Sequence, residues 1–418
     1  MKRKRLLSIL LALCLTFSLT ACGGGSASSS APAAGGDAPA AGGDAAESSD
    51  EPILIGTISP NTGNLAAYGT AVTTGVALAV EEINEAGGLL GRQVEVINAD
   101  DQYDPTECLN AFNSLVSQGV ELIVGSVTSG CTSAITGAAN EEEVCLITPT
   151  STADSITTED DFVFRSCYAD SFQGAIAAAY AKQAGYDKVG MVYCAADTYS
   201  KGLYDSFSAA CEKYGVEVAA VESTASMDVQ DYTNQFAAMV NAGVQFVYAP
   251  FYYDVIGPYL VTQARAAGYT GVIMGADGYD TTPDYVVDGA DLTAFDNVYW
   301  TNHYDPADTS EKSVAFVSAY EAKYGNTPSA FAALAYDCVM MYKTAIEAAG
   351  SADPVEVRDA LAADGVVYDC ITGTYSLDET GTPVKGASII AFEAGTGADG
   401  KPAVVSTLLD VVTELPEA

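Results

Sequence analysis

Two α/β lobes are the fold that this sequence predicts, because short apolar runs alternate with amphipathic stretches and the alternation starts twice. The first series opens with an apolar run at 53–58. In the helical pattern that follows, Val72, Val76 and Ile83 share one face, and the Gly87-Gly88 pair marks its end. Such alternation is typical of parallel sheets that helices cover on both faces.

The second series repeats this pattern with new strands and helices. Predicted strands lie at 53–58, 94–97, 122–125 and 145–148, and again at 189–193, 216–218, 246–248 and 272–274. Helical patterns lie at 109–116, 172–182 and 233–241, and another starts near Thr132. Ligands of open α/β sheets sit beyond the carboxyl ends of the strands, so two facing lobes predict a binding cleft between them.

The first fifty residues are interpreted as an export signal and a tether. Four cations at 2–5 precede an apolar run at 6–19 that is too short to span a bilayer comfortably. The run ends in Leu19-Thr20-Ala21-Cys22, which resembles a bacterial lipobox, where the Cys is acylated; an ordinary signal peptide with an incidental Cys is the alternative. We therefore expect a signal peptide at 1–21 and a lipidated Cys with a disordered tether at 22–50, reaching on the order of 30 Å.

Composition excludes several function classes. A formal net charge of -38 argues against nucleic acid or anionic lipid as a partner. No CxxC pair occurs and His303 is the only histidine, so we expect no metal site and no cofactor. The cysteines of the globular part are expected either to pair in part, outside the membrane, or to stay buried as free thiols; they are Cys108, Cys131, Cys145, Cys167, Cys194, Cys211, Cys338 and Cys370.

An enzyme is not expected. His303 has no nucleophile motif nearby, so a hydrolase triad is not indicated and a structural role is the prediction for this residue. The loop at 125–130 lacks the Gly-Lys-Ser/Thr ending of a phosphate-binding loop, and no GxGxxG lies between a strand and a helix.

Five segments in order carry a family resemblance. They are GVALAVEEINEAGGLLG at 75–91, DDQYDP at 100–105, VGSVTS at 124–129, ITPTST at 147–152 and QARAAG at 263–268. Together they resemble the type I periplasmic binding proteins, specifically the leucine/isoleucine/valine-binding branch of the ABC-transporter receptors, over 51–417.

The resemblance implies two doubly wound α/β lobes joined by a hinge with three crossings, near Asp170, Asn302 and Tyr375. The first lobe would comprise 51–169 plus 302–374, and the second 170–301 plus 375–418. The implied function is a substrate-binding lipoprotein on the extracellular face of the cytoplasmic membrane, periplasmic if the host has an outer membrane. It would capture an amino acid, aliphatic first and aromatic next, and deliver it to an ABC permease. A ligand-sensing receptor is the alternative, as is a binder of amides or small carboxylates.

The resemblance also assigns donors for the ligand's α-carboxylate. Ser129 matches the family position before a helix, whose N-terminus offers unpaired N–H groups, although capping serines are common there. Thr150 would offer its backbone, and Thr152 its hydroxyl and N–H. A solvated Ser/Thr-rich turn is the alternative for this pair.

Acceptors for an ammonium group are implied in the same way. Asp277 matches the acidic contact of the second lobe, where related receptors carry Glu, so the reach is shorter by one methylene. An ordinary Asp-Gly turn is the alternative reading of this residue. Asp170 matches a second family acid and would serve either the ligand or only the hinge.

Pocket walls and a disulfide complete the implied site. Tyr68, Tyr199, Tyr252 and Phe331 match family pocket positions, and Val127 with Thr128 would line the side-chain end; with 25 Tyr in the chain, ordinary packing is the alternative for each tyrosine. The two Cys that form the relatives' disulfide would fall at Tyr103 and Thr128. Cys108 and Cys131 lie close by in sequence and would be the shifted replacement.

Replacing Cys22 by Ala is expected to release the protein into the medium, because the acyl chain is the predicted attachment to the membrane. Cell fractionation and incorporation of a labelled fatty acid measure this. A Cys14→Ala variant, altered within the signal, is the matched control and should keep both the label and the membrane location. A Cys22→Ala protein that still carries label and sediments with membranes would contradict the anchor.

Overall fold

The structure is a computed structural model that describes residues 51–157, 162–305 and 307–415. These residues belong to one compact unit, Ser48–Ala418. The predicted signal, the lipidated Cys22 and the tether at 22–50 lie outside the described residues. Among the residues described, none of the helices combines the length and the apolar character that crossing a membrane requires.

Fourteen strands are present in the described part of the chain. They are β1 (Ile53–Ser59), β2 (Val94–Asp100), β3 (Leu122–Gly125), β4 (Cys145–Thr148), β5 (Val163–Arg165), β6 (Lys188–Cys194), β7 (Glu217–Thr224), β8 (Phe246–Tyr248), β9 (Val272–Gly275), β10 (Val298–Asn302), β11 (Tyr368–Cys370), β12 (Gly373–Tyr375), β13 (Ala387–Thr396) and β14 (Pro402–Val412). All eight predicted strands are found, with their ends shifted by up to three residues at β2 and by six at β7.

Helices separate most of these strands. They are α1 (Ala66–Glu85), α2 (Pro105–Ser117), α3 (Ser129–Glu141), α4 (Asp170–Gln183), α5 (Thr198–Tyr214), α6 (Thr233–Ala242), α7 (Tyr253–Val255), α8 (Val261–Ala266), α9 (Glu311–Tyr324), α10 (Ala330–Ala349) and α11 (Pro354–Leu361). A π-helical turn at Ile256–Leu260 joins α7 to α8. Asp104 caps α2 by accepting from the backbone N–H groups of Thr106 and Glu107, and Gly215 ends α5 in the left-handed conformation.

The strands form two large sheets. The first has the order β2-β1-β3-β4-β5 and is parallel throughout. The second has the order β14-β13-β10-β9-β8-β6-β7 and is parallel from β10 to β7. β13 and β14 depart from the predicted parallel arrangement: β13 runs antiparallel to β10, and a short connection returns the chain as antiparallel β14.

The chain passes between the two sheets three times. It leaves the first sheet after β5 and enters the second at β6, by way of α4. It leaves the second after β10 for α9, α10 and α11, and returns to it at β13. In α10, Tyr342 ties the helix to the first sheet, since its hydroxyl donates to the carbonyl oxygens of Ile123 and Cys145. The lobe boundaries at 169/170, 301/302 and 374/375 remain a proposal.

Helices α1 and α10 pack closely over the first sheet. A Cβ added to Gly75 would lie 2.2 Å from the backbone oxygen of Ala332. Backbone cannot move aside as a flexible side chain does, so the absence of a side chain at Gly75 allows the two helices to approach.

Gly75→Ala is therefore expected to destabilise the fold by about 1–3 kcal/mol, as overpacking usually does. Gly137→Ala is the matched control, because a Cβ on this helical glycine meets nothing within 4 Å. The control should be neutral or slightly stabilising, by up to about 1 kcal/mol. Urea unfolding followed by circular dichroism measures both, and equal midpoints for the two variants would contradict the packing argument.

Candidate ligand-binding site

One small enclosed cavity gathers most of the predicted contact residues. Ten residues line it, and one of them is Gly278. The other nine belong to the eleven predicted contact residues: Tyr68, Val127, Thr128, Ser129, Thr150, Tyr199, Tyr252, Asp277 and Phe331. Its volume, measured as the space open to the centre of a water-sized sphere, is about 10 Å³. Six of the ten lining residues follow β3, β4 or β9, so both sheets present carboxyl ends of strands to it; the others come from α1, α5, α10 and the segment after β8. The role of each residue stays a prediction.

Thr152 and Asp170 do not line this cavity but lie in the buried layer beside it. The Asp170 backbone N–H donates to the Thr152 carbonyl oxygen at 2.8 Å. The Asp170 carboxyl group accepts from Gln173 Nε2 at 3.3 Å, and the same nitrogen donates to Asp277. Gln173 therefore connects the two predicted acids.

The N-terminus of α3 faces this site without a side-chain cap. The helix begins at Ser129, three residues before its predicted start, and Thr128 is the flanking residue. Ser129 is therefore not the capping residue; its Oγ instead accepts from the Ala153 backbone N–H at 3.2 Å. The first N–H groups of an uncapped helix lack intrahelical partners, so this end of α3 is suited to an anion.

Three threonines differ in how their hydroxyl groups are used. Thr150 Oγ1 donates to the Val127 carbonyl oxygen at 2.8 Å, which leaves the backbone of Thr150 to face the cavity. Thr128 Oγ1 is buried without a hydrogen-bond partner, whereas the Thr152 side chain, behind this wall, interacts with the Asp170 carboxyl group. Buried hydroxyl groups without partners are costly, so polar atoms of a ligand would stabilise this wall.

On the opposite wall, Asp277 is held by three donors. Its Oδ1 accepts from Gln173 Nε2 at 3.0 Å and from the Tyr199 hydroxyl at 2.9 Å. Its Oδ2 lies 3.2 Å from His303 Nε2. Only 1% of Asp277 is exposed. Three side chains thus contact the two oxygens of this buried carboxyl group.

Gln173 and His303 were not predicted as site residues. Gln173 lies three positions after Asp170 on α4, which is a one-turn spacing, and His303 directly follows β10 as the chain's only histidine. Either signal is weak by itself. Their contact with Asp277 spans 104 and 26 residues of sequence, respectively.

Burial sets the protonation preferences around this wall. It raises the pKa of Asp170 well above its ordinary value, and the charge of Asp277 adds to the rise. Burial lowers the pKa of His303 to about 4. Asp170 and His303 are therefore both favoured in their neutral forms.

Aromatic rings form the rest of the wall. Tyr199 and Tyr252 stack with ring centroids 5.0 Å apart, and the ring centroids of Tyr68 and Phe331 are 4.3 Å apart. The Tyr252 hydroxyl is buried without a partner, whereas the Tyr68 hydroxyl donates to the Gly278 carbonyl oxygen at 2.5 Å. Such rings offer apolar faces and a few hydroxyl groups to the same occupant.

Tyrosines also join the two sides of the cleft. The Tyr68–Gly278 bond is one such link, and the Tyr103 hydroxyl donates to Asp197 Oδ2 at 2.9 Å. The Tyr253 hydroxyl donates to the Asn64 carbonyl oxygen at 2.8 Å. Because these bonds connect segments beside one sheet with segments beside the other, the structure is a closed arrangement.

All eight cysteines of the described residues are buried free thiols. The shifted bridge between Cys108 and Cys131 is not formed, but the two sulfurs and a carboxylate oxygen of Asp101 all lie within 4.8 Å of one another. The hydrogen bond with the adjacent Cys131, and then burial, raise the pKa of Cys108, so its thiol stays protonated. No spacing motif indicates this juxtaposition of two helix N-termini.

Comparison with known proteins identifies the family. Residues 52–398 match the family described as periplasmic binding protein. The chain belongs to the periplasmic binding protein family. The predicted resemblance and the predicted type I fold, with two doubly wound α/β lobes, are thereby confirmed.

Individual relatives show which members of the family this chain is similar to. A protein of Pseudomonas aeruginosa named a leucine-, isoleucine-, valine-, threonine- and alanine-binding protein is 32% identical, over 79% of this chain and 86% of that protein. A branched-chain amino acid transporter substrate-binding protein of Streptococcus pneumoniae, solved with isoleucine, is 34% identical with a TM-score of 0.75, over 85% of this chain and 100% of that chain. A leucine-binding protein of Thermotoga maritima is 29% identical with a TM-score of 0.76, over 86% of this chain and 98% of that chain.

Proposed function

We propose that this periplasmic binding protein is the extracellular substrate-binding component of an ABC importer and captures a free amino acid, with aliphatic types preferred. The observation that carries the proposal is the opposite polarity of the two cavity walls. Donors lie at the uncapped end of α3, and the carboxyl group of Asp277 lies across from them. A zwitterion has the matching pair of charges.

Desolvation makes this match selective. In a closed cleft both the carboxylate and the ammonium of the ligand lose water, so each needs a partner. The N–H groups at Ser129 and the backbone of Thr150 would bind the carboxylate, and Thr152 would support this wall from the buried layer beside the cavity. Asp277 would accept a hydrogen bond from the ammonium group. Asp170, in the buried layer beside the cavity, would help to hold Asp277 in position. Charge-assisted bonds of this kind each contribute roughly 1.5–3 kcal/mol.

The side-chain preference rests on the apolar part of the cavity and on the relatives. Tyr68, Phe331 and Val127 would surround the ligand's side chain. Two of the three relatives described above are named for branched-chain amino acids or leucine, and the third for a set that includes them. An aromatic amino acid is the next candidate, since stacked rings already wall the cavity.

The proposed function includes delivery of the ligand to a permease at the outer face of the membrane. The relatives are solute-binding proteins rather than enzymes, and we propose no catalysis for this chain. Lipidation at Cys22 would hold the protein at the outer face of the membrane, where the permease subunits of the importer would receive it. We propose no cofactor and no metal for this function.

Ligand binding is expected to close the two lobes, because the ligand contacts both walls only in the closed arrangement. Small-angle scattering of the Cys22→Ala protein should give a smaller radius of gyration with leucine than without it. Tyr103→Phe, which loses the bond to Asp197, is expected to reduce the closed fraction without ligand. An unchanged radius at saturating leucine would argue against the clamp, unless the unliganded protein already has the compact radius of the structure.

Asp277→Asn is expected to weaken leucine binding by at least about tenfold, because the ammonium would face a neutral amide. Isothermal calorimetry with leucine and with its amine-free analogue 4-methylpentanoate measures this. Asp288→Asn is the matched control, since it removes the same charge from an exposed position and should leave affinity unchanged. Equal affinity of the unaltered protein for both ligands would overturn the amino-acid assignment and indicate a carboxylate receptor.

A further inference from the structure

The ring of His303 is fixed in a single orientation beside Asp277. Only 3% of the residue is exposed, and its ring packs on Tyr168 with centroids 3.7 Å apart and planes 33° apart. Its backbone N–H donates to Asn302 Oδ1 at 2.8 Å. A stacked ring with a tethered backbone loses little freedom when it holds a partner, so His303 is suited to orient another group.

The three donors to Asp277 leave one position of the carboxylate unused. A carboxylate accepts at about four lone-pair positions. Gln173 and Tyr199 take both positions of Oδ1, and His303 takes one of Oδ2. The remaining position is on the oxygen that His303 holds, so the orientation of the imidazole decides where a ligand's ammonium would meet the carboxylate.

The tautomer of His303 follows from this contact. If Nε2 carried no proton, its lone pair would face the lone pairs of Oδ2 at 3.2 Å, which is repulsive. When Asp277 is the carboxylate, which is the form that attracts an ammonium and has no proton to donate, Nε2 is therefore the donor, either from the neutral ring or from an imidazolium. Burial lowers the pKa of His303 to about 4, and the charge of Lys385 lowers it further, against the opposing effect of Asp277. Nδ1, which is buried without a partner, is then the nitrogen without a proton.

A neutral ring has a consequence for binding. An imidazolium would cancel the negative charge of Asp277 and weaken its attraction for a cation. The neutral Nε2–H donor orients the carboxylate and leaves the whole charge available. Gln173 is likewise a neutral donor, and its own Oε1 is fixed by the Thr301 hydroxyl at 2.7 Å and by the Asp277 backbone N–H at 3.1 Å.

We propose that His303 is a positioning residue for the ligand's ammonium: as the Nε2–H tautomer, it aims Oδ2 of Asp277 into the cleft without neutralising it. This inference rests on the proposed function. It assigns to the histidine a part in selecting amine-bearing ligands, beyond packing at the second passage between the sheets. It also explains how an Asp serves at this position, since the shorter side chain is held by a donor behind it.

Nuclear magnetic resonance tests the tautomer directly, because the chain contains one histidine and gives one set of imidazole signals. In ¹⁵N-histidine-labelled Cys22→Ala protein, the Nε2–H tautomer is expected to persist from about pH 5 to pH 8, where an ordinary histidine titrates. A ring with the proton on Nδ1, or one that titrates near its ordinary pKa, would overturn the proposal.

Two substitutions separate positioning from packing. Phenylalanine keeps the ring stack on Tyr168 but cannot donate, whereas glutamine loses the stack but can place an amide donor near the position of Nε2. His303→Phe should weaken leucine binding by about tenfold while binding of 4-methylpentanoate changes little, and His303→Gln should retain most of the affinity for leucine. Thermal unfolding of both variants reports any loss of packing separately.

Each outcome of the calorimetry is informative. A purely structural histidine predicts that the Phe variant binds like the unaltered protein, or that both ligands weaken equally, and either result overturns the inference alone. If the unaltered protein does not prefer leucine over 4-methylpentanoate, the amino-acid assignment fails and this inference fails with it. Selective loss of leucine binding in the Phe variant, with rescue by Gln, supports it.

Discussion

Burial of one carboxyl group organises the second wall of the cleft. Asp277 is almost fully removed from water, which is unfavourable unless hydrogen-bond donors replace the lost hydration. The donors come from α4, α5 and the end of β10, in Gln173, Tyr199 and His303. The hydrogen bonds to this carboxyl group therefore join three elements that are far apart in the sequence. They hold these elements in one arrangement around the cavity.

The first wall, at the N-terminus of α3, presents hydrogen-bond donors that lack acceptors. The N-terminus of α3 carries partial positive charge and N–H groups without intrahelical partners, yet no side chain caps it. An uncapped helix end is a cost to the unliganded protein, of the order of the ~1 kcal/mol that a good cap supplies. A carboxylate bound there would recover it. Each wall thus presents polar groups that lack a full set of hydrogen-bond partners within the protein. A zwitterion would supply the missing partners on both walls.

Tyrosine hydroxyl groups link these walls to closure. A buried tyrosine usually needs a partner for its hydroxyl, and for Tyr68, Tyr103 and Tyr253 that partner lies across the cleft. Opening the cleft would break these bonds and return the hydroxyl groups to water, so each contributes little net free energy to closure. A ligand that contacts both walls would add its own contacts to these bonds in the closed arrangement.

The sequence by itself determined the strand–helix series, the two-part division and most of the cavity-lining residues. Strand and helix patterns are local, since they depend on the spacing of apolar residues along a few turns, and the motifs that carry the family resemblance are contiguous. Tertiary structure alone decided the antiparallel course of β13 and β14, the start of α3 at Ser129, and the contacts of Gln173 and His303 with Asp277. The physical reason is that a buried polar atom takes whichever partner the packed chain brings within about 3 Å, and neither composition nor spacing encodes which residue that will be.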